Sequence, residues 1–243
     1  MKNKRIVLLM MGGKGERFGQ QLPKQFYSIN GMPLYLYILQ KYNQMEEIDS
    51  IVIVTNPNYY NETIEWNKLV DSDKVSYVLK GGNGRSKDIK DALDVISTFA
   101  DFEDVILIHD ATHPYVDTKG TNEVIEAIEK YGGATLGGKQ YDTVYYTENG
   151  MLKEVISRDN VVSGASPEGF KFGIIYDVYK NSTLEELNKM TSAGAIALAN
   201  GIEMAIIPSN ILNLKITHPD DMLILENLAS NYYFNEQKKM KKH

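Results

Sequence analysis

Residues 5–25 read RIVLLMMGGKGERFGQQLPKQ, and the first half of this stretch decides the fold. Ile6 to Met11 is an unbroken apolar run with no polar alternation. Such a run fits a strand buried on both faces, as in a parallel sheet covered by helices on either side. The chain then passes into Gly12-Gly13-Lys14-Gly15-Glu16-Arg17-Phe18-Gly19, followed by Pro23-Lys24-Gln25. Glycines allow backbone N–H groups to approach phosphate oxygens with no Cβ in the way. Arg17 and Lys24 would supply the positive charge that a triphosphate requires. The loop ends in neither the Gly-Lys-Ser/Thr of a P-loop nor a full dinucleotide fingerprint. On its own it is therefore either a phosphate-binding turn or a purely structural one.

Working outward, β-branched and aliphatic runs alternate with amphipathic segments. Helical spacing is expected over Pro33 to Tyr42, Ser86 to Phe99 and Thr121 to Tyr131. Strands are expected at Ile51 to Thr55, Val75 to Lys80 and Val105 to Ile108, with a late strand at Asn213 to Thr217 and a helix starting at His218-Pro219-Asp220-Asp221. This order predicts an α/β fold, a mostly parallel sheet with helices on both faces. Ligands of such sheets gather at the carboxyl ends of the strands. The loops Gly12 to Gly19, Gly81 to Arg85 and Asp110 to Pro114 all fall there. Between 140 and 157 the pattern changes to two short strands around Thr147-Glu148-Asn149-Gly150, and Asn-Gly is a strong hairpin signal. The ribbon either folds onto its own domain or reaches a neighbour. We expect one domain over 1–228, with the arm at about 140–157, and a polar basic tail over 229–243.

The bulk composition narrows the function. The 243 residues are 43% hydrophobic and carry a net charge of -6, which argues against general attraction to nucleic acid or anionic membrane. An anionic ligand must be held by a few local cations. With no cysteine, disulfides, zinc-thiolate sites and thiol nucleophiles are excluded. The basic-then-apolar start is too short and glycine-bounded for a signal peptide, and no run approaches a membrane span. A cytoplasmic location is expected. A dinucleotide oxidoreductase is disfavoured by the glycine spacing and by the second strand, which runs into Asn56-Pro57 with no acidic residue for a ribose.

Five landmarks recur in order: G-G-x-G-x-R…P-K-Q, G-G-x-x-R at Gly81 to Arg85, H-D-A at His109 to Ala111, D-T at Asp142-Thr143, and N-L-K-I-T at Asn213 to Thr217. In these the chain resembles the cytidylyltransferase family that contains the methylerythritol phosphate and ribitol phosphate enzymes. The resemblance runs from Arg5 to about Leu228. It implies a Rossmann-like mixed sheet whose protruding β-arm exchanges across a homodimer. Nucleotidyl transfer needs charge neutralisation and in-line positioning, commonly with a divalent metal held by one carboxylate and phosphate oxygens. Asp110, closing a buried strand at the ligand edge, is the candidate Mg2+ ligand and matches the family's metal-binding aspartate. The resemblance also assigns Lys215, beside Arg17 and Lys24, to the α-phosphate region. Met11, Gly12, Gly13, Gly15, Gly81, Gly82, Asp88 and Ala111 line the nucleotide, with the glycines at 81 and 82 against the cytosine edge. Thr143 (from the partner subunit), Arg158 and Ser166 correspond to acceptor-binding positions. The acceptor phosphate is itself the nucleophile, so His109, His113 and His218 are not needed as bases.

Several positions depart from the family pattern. Asp88 stands where a serine is usual, to bond ribose hydroxyls or to cap the helix. His113 replaces an arginine, Ser166-Pro167-Glu168 replaces T-P-Q, and Thr191-Ser192-Ala193 lacks the usual acid. These changes lie mostly around the acceptor, while Gly164 and Ala193 look more like the ribitol phosphate branch. The expected reaction is transfer of CMP from CTP to a polyol phosphate such as ribitol 5-phosphate, with release of pyrophosphate, for cell-wall or capsule precursors. The alternatives are the methylerythritol phosphate enzyme of isoprenoid synthesis and a nucleotide-binding regulatory protein without turnover.

Overall fold

The structure is a computed structural model, described here for residues 3–13, 22–209 and 211–232. The strands are β1 (Arg5–Met11), β2 (Ser28–Ile29), β3 (Met32–Pro33), β4 (Ser50–Thr55), β5 (Val75–Lys80), β6 (Val105–Asp110), β7 (Gly133–Lys139), β8 (Val144–Glu148), β9 (Met151–Ile156), β10 (Val162–Lys171) and β11 (Ala205–Pro208). The helices are α1 (Leu34–Gln44), α2 (Tyr60–Asn67), α3 (Arg85–Ile96), α4 (Thr118–Tyr131), α5 (Phe172–Asn181), α6 (Leu184–Asn188), α7 (Ala193–Ala199) and α8 (Pro219–Tyr232). Seven strands form one sheet in the order β11-β7-β10-β6-β1-β4-β5. Strands β6, β1, β4 and β5 are mutually parallel, and β10 runs antiparallel to both β6 and β7. The expected mixed, mostly parallel α/β sheet is what the chain forms.

β1 lies inside this sheet and explains it. Val7, Leu9 and Met11 face one core with Tyr35, Ile38 and Tyr42 of α1 and Val124 and Ile128 of α4. Ile6, Leu8 and Met10 face the other, with Ile89, Leu93 and Ile96 of α3 and Phe172 and Ile175 of α5. Each fully buried aliphatic side chain contributes about 1.5–3 kcal/mol, so neither face tolerates a register slip. Both faces being closed, the strand ends are where a ligand can enter.

Two segments differ from the sequence reading. Asn213 to Thr217 is not a strand: among the described residues it joins no ladder, and its Ile216 N–H reaches the Thr112 carbonyl at 2.8 Å. Ile216 is buried with Tyr37, Tyr115, Met222 and Leu225 in a third small core, which sets the segment beside β6. Second, α8 continues to Tyr232, past the expected end of the domain at 228. Residues 233–243 of the expected tail lie outside the described residues. The hairpin β8–β9 forms as expected, with Asn149 and Gly150 at positive φ, and makes a sheet only with itself. Among the described residues, no helix is long and apolar enough to cross a membrane.

A buried polar chain ties α1 to the end of β6. The His109 ring is fully buried, its Nε2 lies 2.9 Å from the His113 carbonyl, and its Nδ1 lies 2.8 Å from the Tyr42 hydroxyl. A carbonyl only accepts, so Nε2 carries the proton and Nδ1 accepts from Tyr42. Burial pushes His109 down to about 4, partly offset by the His113 carbonyl. Burial, then the neighbouring His109 and Lys215, also push His113 down to about 4. Below about pH 6.5 the unfolded chain binds protons that the folded chain refuses, until the folded value near 4 is reached. The unfolding midpoint should therefore fall by several degrees between pH 7 and pH 5, above the range where carboxylates titrate, and His109→Gln should flatten that slope. A midpoint unchanged over this range in the wild type would contradict the assignment.

Candidate active site

The carboxyl ends of β1, β5 and β6 open into a cavity of about 680 Å³ lined by Met11, Gly12, Gly13, Lys24, Gly82, Asp88, Asp110, Ala111 and Lys215, among others. Most residues expected to hold a nucleotide and metal are thus brought together from five separate segments. Gly15 and Arg17 fall outside the described residues.

The glycine turn after β1 is held from behind. The buried Gln25 amide donates to the carbonyls of Met11 (2.8 Å) and Gly13 (3.1 Å). Pro23-Lys24-Gln25 therefore serves partly to shape the loop, a role that sequence reasoning did not assign to Gln25. Lys24 turns the other way, and its Nζ donates to the Ile216 carbonyl at 2.5 Å. That bond places it beside Lys215, so two cations from distant parts of the chain border one cavity.

Asp88 lines the cavity and is held by the backbone beside it. It is buried in the first turn of α3 and reaches back, accepting from the Gly82 N–H at 2.9 Å and the Asn83 N–H at 3.0 Å. A Cβ on Gly12 or on Gly81 would sit 2.6 Å from its Oδ2. The need for glycine at both positions comes from this carboxylate, which is wedged between the β1 and β5 loops. Gly13, by contrast, has nothing within 4 Å of an added Cβ among the described residues.

Asp110 ends β6 with its side chain 23% exposed. Arg85 Nε contacts its Oδ1 at 3.2 Å, and Arg85 Nη2 contacts Glu168 Oε2 at 3.4 Å. Burial alone would raise the Asp110 carboxyl, but Arg85, Lys215 and His113 outweigh it and hold it below the usual carboxylate range. It is therefore ionised at neutral pH. A single ionised carboxylate beside two lysines suits a divalent ion that shares its remaining ligands with phosphate oxygens. It does not suit a site built from protein alone, and no cluster of three metal-ligating side chains occurs among the described residues. The Ser166 hydroxyl accepts from the Asp110 N–H at 3.3 Å, so this expected acceptor-binding residue supports the end of β6 as well. The Ser166–Pro167 peptide is cis.

Thr143 and Arg158 do not line the cavity. Thr143 lies on the arm and Arg158 just after it, where Arg158 Nη1 donates to the Tyr141 carbonyl at 2.6 Å. Arg85 and Glu168 are the functional residues that sequence reasoning undervalued. The G-G-x-x-R motif was the available signal for Arg85; Glu168 was signalled only as the acid that replaces the glutamine of T-P-Q.

A doubly covered, mostly parallel sheet with glycine loops, lysines and an ionised aspartate at its strand ends defines a nucleotidyltransferase of the α/β class. The chain belongs to the family of 2-C-methyl-D-erythritol 4-phosphate cytidylyltransferase (IspD), whose profile matches residues 6–230. It is similar to the enzymes of that name from Clostridium botulinum (30% identical, covering 92% of this chain and 98% of the relative) and Thermosipho africanus (29%, covering 90% and 96%). In fold it resembles 4-diphosphocytidyl-2C-methyl-D-erythritol synthase from Anaerococcus prevotii, with a TM-score of 0.78, 18% identity and coverage of 94% and 96%.

These names correct the expected acceptor: they carry methylerythritol phosphate, and none carries ribitol phosphate. The departures that suggested ribitol phosphate and polysaccharide precursors have other uses in the structure. Asp88 closes the glycine loops, Glu168 engages Arg85, Ser192 caps α7 by accepting from the Ala195 N–H, and Ala193 is buried in the core.

If Asp88 is the wedge, Asp88→Ala removes the carboxylate that accepts from the Gly82 and Asn83 N–H groups. It should lower unfolding free energy by about 1–3 kcal/mol in urea titrations, with Asp88→Asn losing less. Wild-type stability in Asp88→Ala would contradict this role.

Proposed function

We propose that the chain transfers CMP from CTP to 2-C-methyl-D-erythritol 4-phosphate and releases pyrophosphate. The observation that carries the reading is the match of the family profile across residues 6–230. The convergence of Lys24, Asp110 and Lys215 on one cavity beneath the glycine turn is what that chemistry requires. An oxygen of the acceptor phosphate forms a new bond to the α-phosphorus. The bond from that phosphorus to the α–β bridging oxygen breaks, and pyrophosphate leaves with the electron pair. The nucleophile is already anionic at neutral pH, so no general base is needed, and the neutral, buried His109 does not serve as one.

The glycine turn would cradle the triphosphate, and Lys24 and Lys215 would offset the charge that develops on the phosphates. Arg17 and Gly15 join this reading on sequence grounds. Asp110 would hold Mg2+, which when bound neutralises triphosphate oxygens and fixes their orientation. Gly81 and Gly82 would meet the cytosine edge, with Asp88 and Ala111 behind.

The same reading makes the protein a homodimer. On the arm, Tyr145, Tyr146, Met151, Leu152 and Val155 are all exposed, although the ribbon is rich in residues that favour burial. An apolar ribbon bonded only to itself fits a second copy of the chain. Thr143 would then reach the partner's cavity, with Arg158 and Ser166 also serving the acceptor.

Pyrophosphate release should be seen with CTP, Mg2+ and methylerythritol phosphate. Release with ribitol 5-phosphate alone, or none with either acceptor, would overturn the assignment. Thr143→Ala and Lys215→Ala should each lower kcat/KM by about 10²-fold or more, as expected for groups that bind the reacting phosphates. Mixing the two variants should restore part of the activity. No recovery in a mixture shown to exchange subunits would refute the shared site.

A further inference from the structure

We infer that Glu168 is a positioning residue for Asp110, acting through Arg85 by drawing part of the guanidinium charge away from the carboxylate that holds the metal. The inference rests on the assignment of Asp110 above and concerns a residue outside the cavity lining.

The two acids are brought together by the sheet. β10 runs antiparallel to β6 with Glu168 opposite Ile108, two residues before Asp110. Arg85, from the start of α3, lies between them and contacts Asp110 Oδ1 and Glu168 Oε2 with different nitrogens. Side-chain exposures of 31% for Arg85 and 15% for Glu168 keep this bridge only partly screened by water.

Glu168 is fixed independently of Arg85. Its Oε2 accepts from the Ala193 N–H and its Oε1 from the Gly194 N–H, both at 3.1 Å, at the start of α7. A Cβ on Gly194 would come within 2.9 Å of Oε1, so the small residue permits the approach. The hydroxyl of Tyr179, fully buried on α5, has no hydrogen-bond partner among the described residues and interacts electrostatically with Arg85, Glu168 and Asp110. A neutral, dry ring thus closes one side of the bridge.

One guanidinium shared between two fixed carboxylates binds each less tightly than it would bind one alone. If Glu168 loses its charge, Arg85 is left with Asp110 as its anionic partner in this bridge. It then competes more strongly with a divalent cation for the same oxygens. Glu168→Gln keeps the shape and one acceptor for the α7 amides, so the charge is the main thing removed.

The test is a Mn2+ titration of the protein–CTP complex with no acceptor present, followed by paramagnetic relaxation of water and paired with thermal unfolding. Glu168→Gln should weaken Mn2+ binding by about fivefold or more, with CTP affinity measured without metal unchanged. In an Arg85→Met background the same substitution should change Mn2+ binding by less than about twofold, because the intermediary is gone. Equal losses in both backgrounds would show that Glu168 acts only by supporting α7, and would overturn the inference. Wild-type Mn2+ affinity in Glu168→Gln would overturn it as well and leave the Asp110 assignment standing. Failure of the wild-type complex to bind Mn2+ would overturn both.

Discussion

Asp110 and Glu168 lie on neighbouring strands, close enough that a single arginine reaches both. Two ionised carboxylates in that position repel each other unless a cation stands between them. Arg85 is that cation, and it joins the end of β6, the middle of β10 and the first turn of α3. Glu168 carries the connection on to α7 through two backbone amides. At the strand tips this charge balance works beside apolar packing that reaches Met11 and Ala111.

A second carboxylate plays a comparable part at the other end of the cavity. Asp88 is wedged between the β1 and β5 loops and accepts from two amides of the loop after β5. Both it and Glu168 occupy positions where the family pattern expects an uncharged side chain. Each is engaged by backbone donors. A residue that departs from the family pattern near a site is therefore weak evidence for a new substrate until its hydrogen-bond partners are known. In this chain those partners are internal, and the names of its relatives carry methylerythritol phosphate rather than ribitol phosphate.

Much of the fold was legible in the sequence because β1, β4 and β6 carry uninterrupted apolar runs and the helices between them keep amphipathic spacing. β7 and β10 were missed for a physical reason. β7 reads GATLGGK, with few strand-forming side chains, and its glycines are set by close packing: a Cβ on Gly133 would meet Met204 Sδ at 2.5 Å, and one on Gly137 would meet Ile206 at 2.8 Å. β10 carries Pro167 and a register shift between Gly164 and Glu168, which breaks any period-two pattern. Asn213 to Thr217 was over-read because Leu214 and Ile216 alternate like a strand while burying only Ile216. At the site, Lys24, Asp110 and Lys215 were found from motifs. The Arg85–Glu168 pair spans 83 residues, and no local spacing reports a contact of that kind.

The account stands most directly on where CTP and its metal lie. A crystal structure of the protein with CTP and Mg2+ tests this in one measurement. The account predicts the triphosphate against Gly12 and Gly13, flanked by Lys24 and Lys215, with the ion bound to Asp110 and Arg85 still in contact with both carboxylates. A nucleotide bound elsewhere, or an ion held without Asp110, would contradict it.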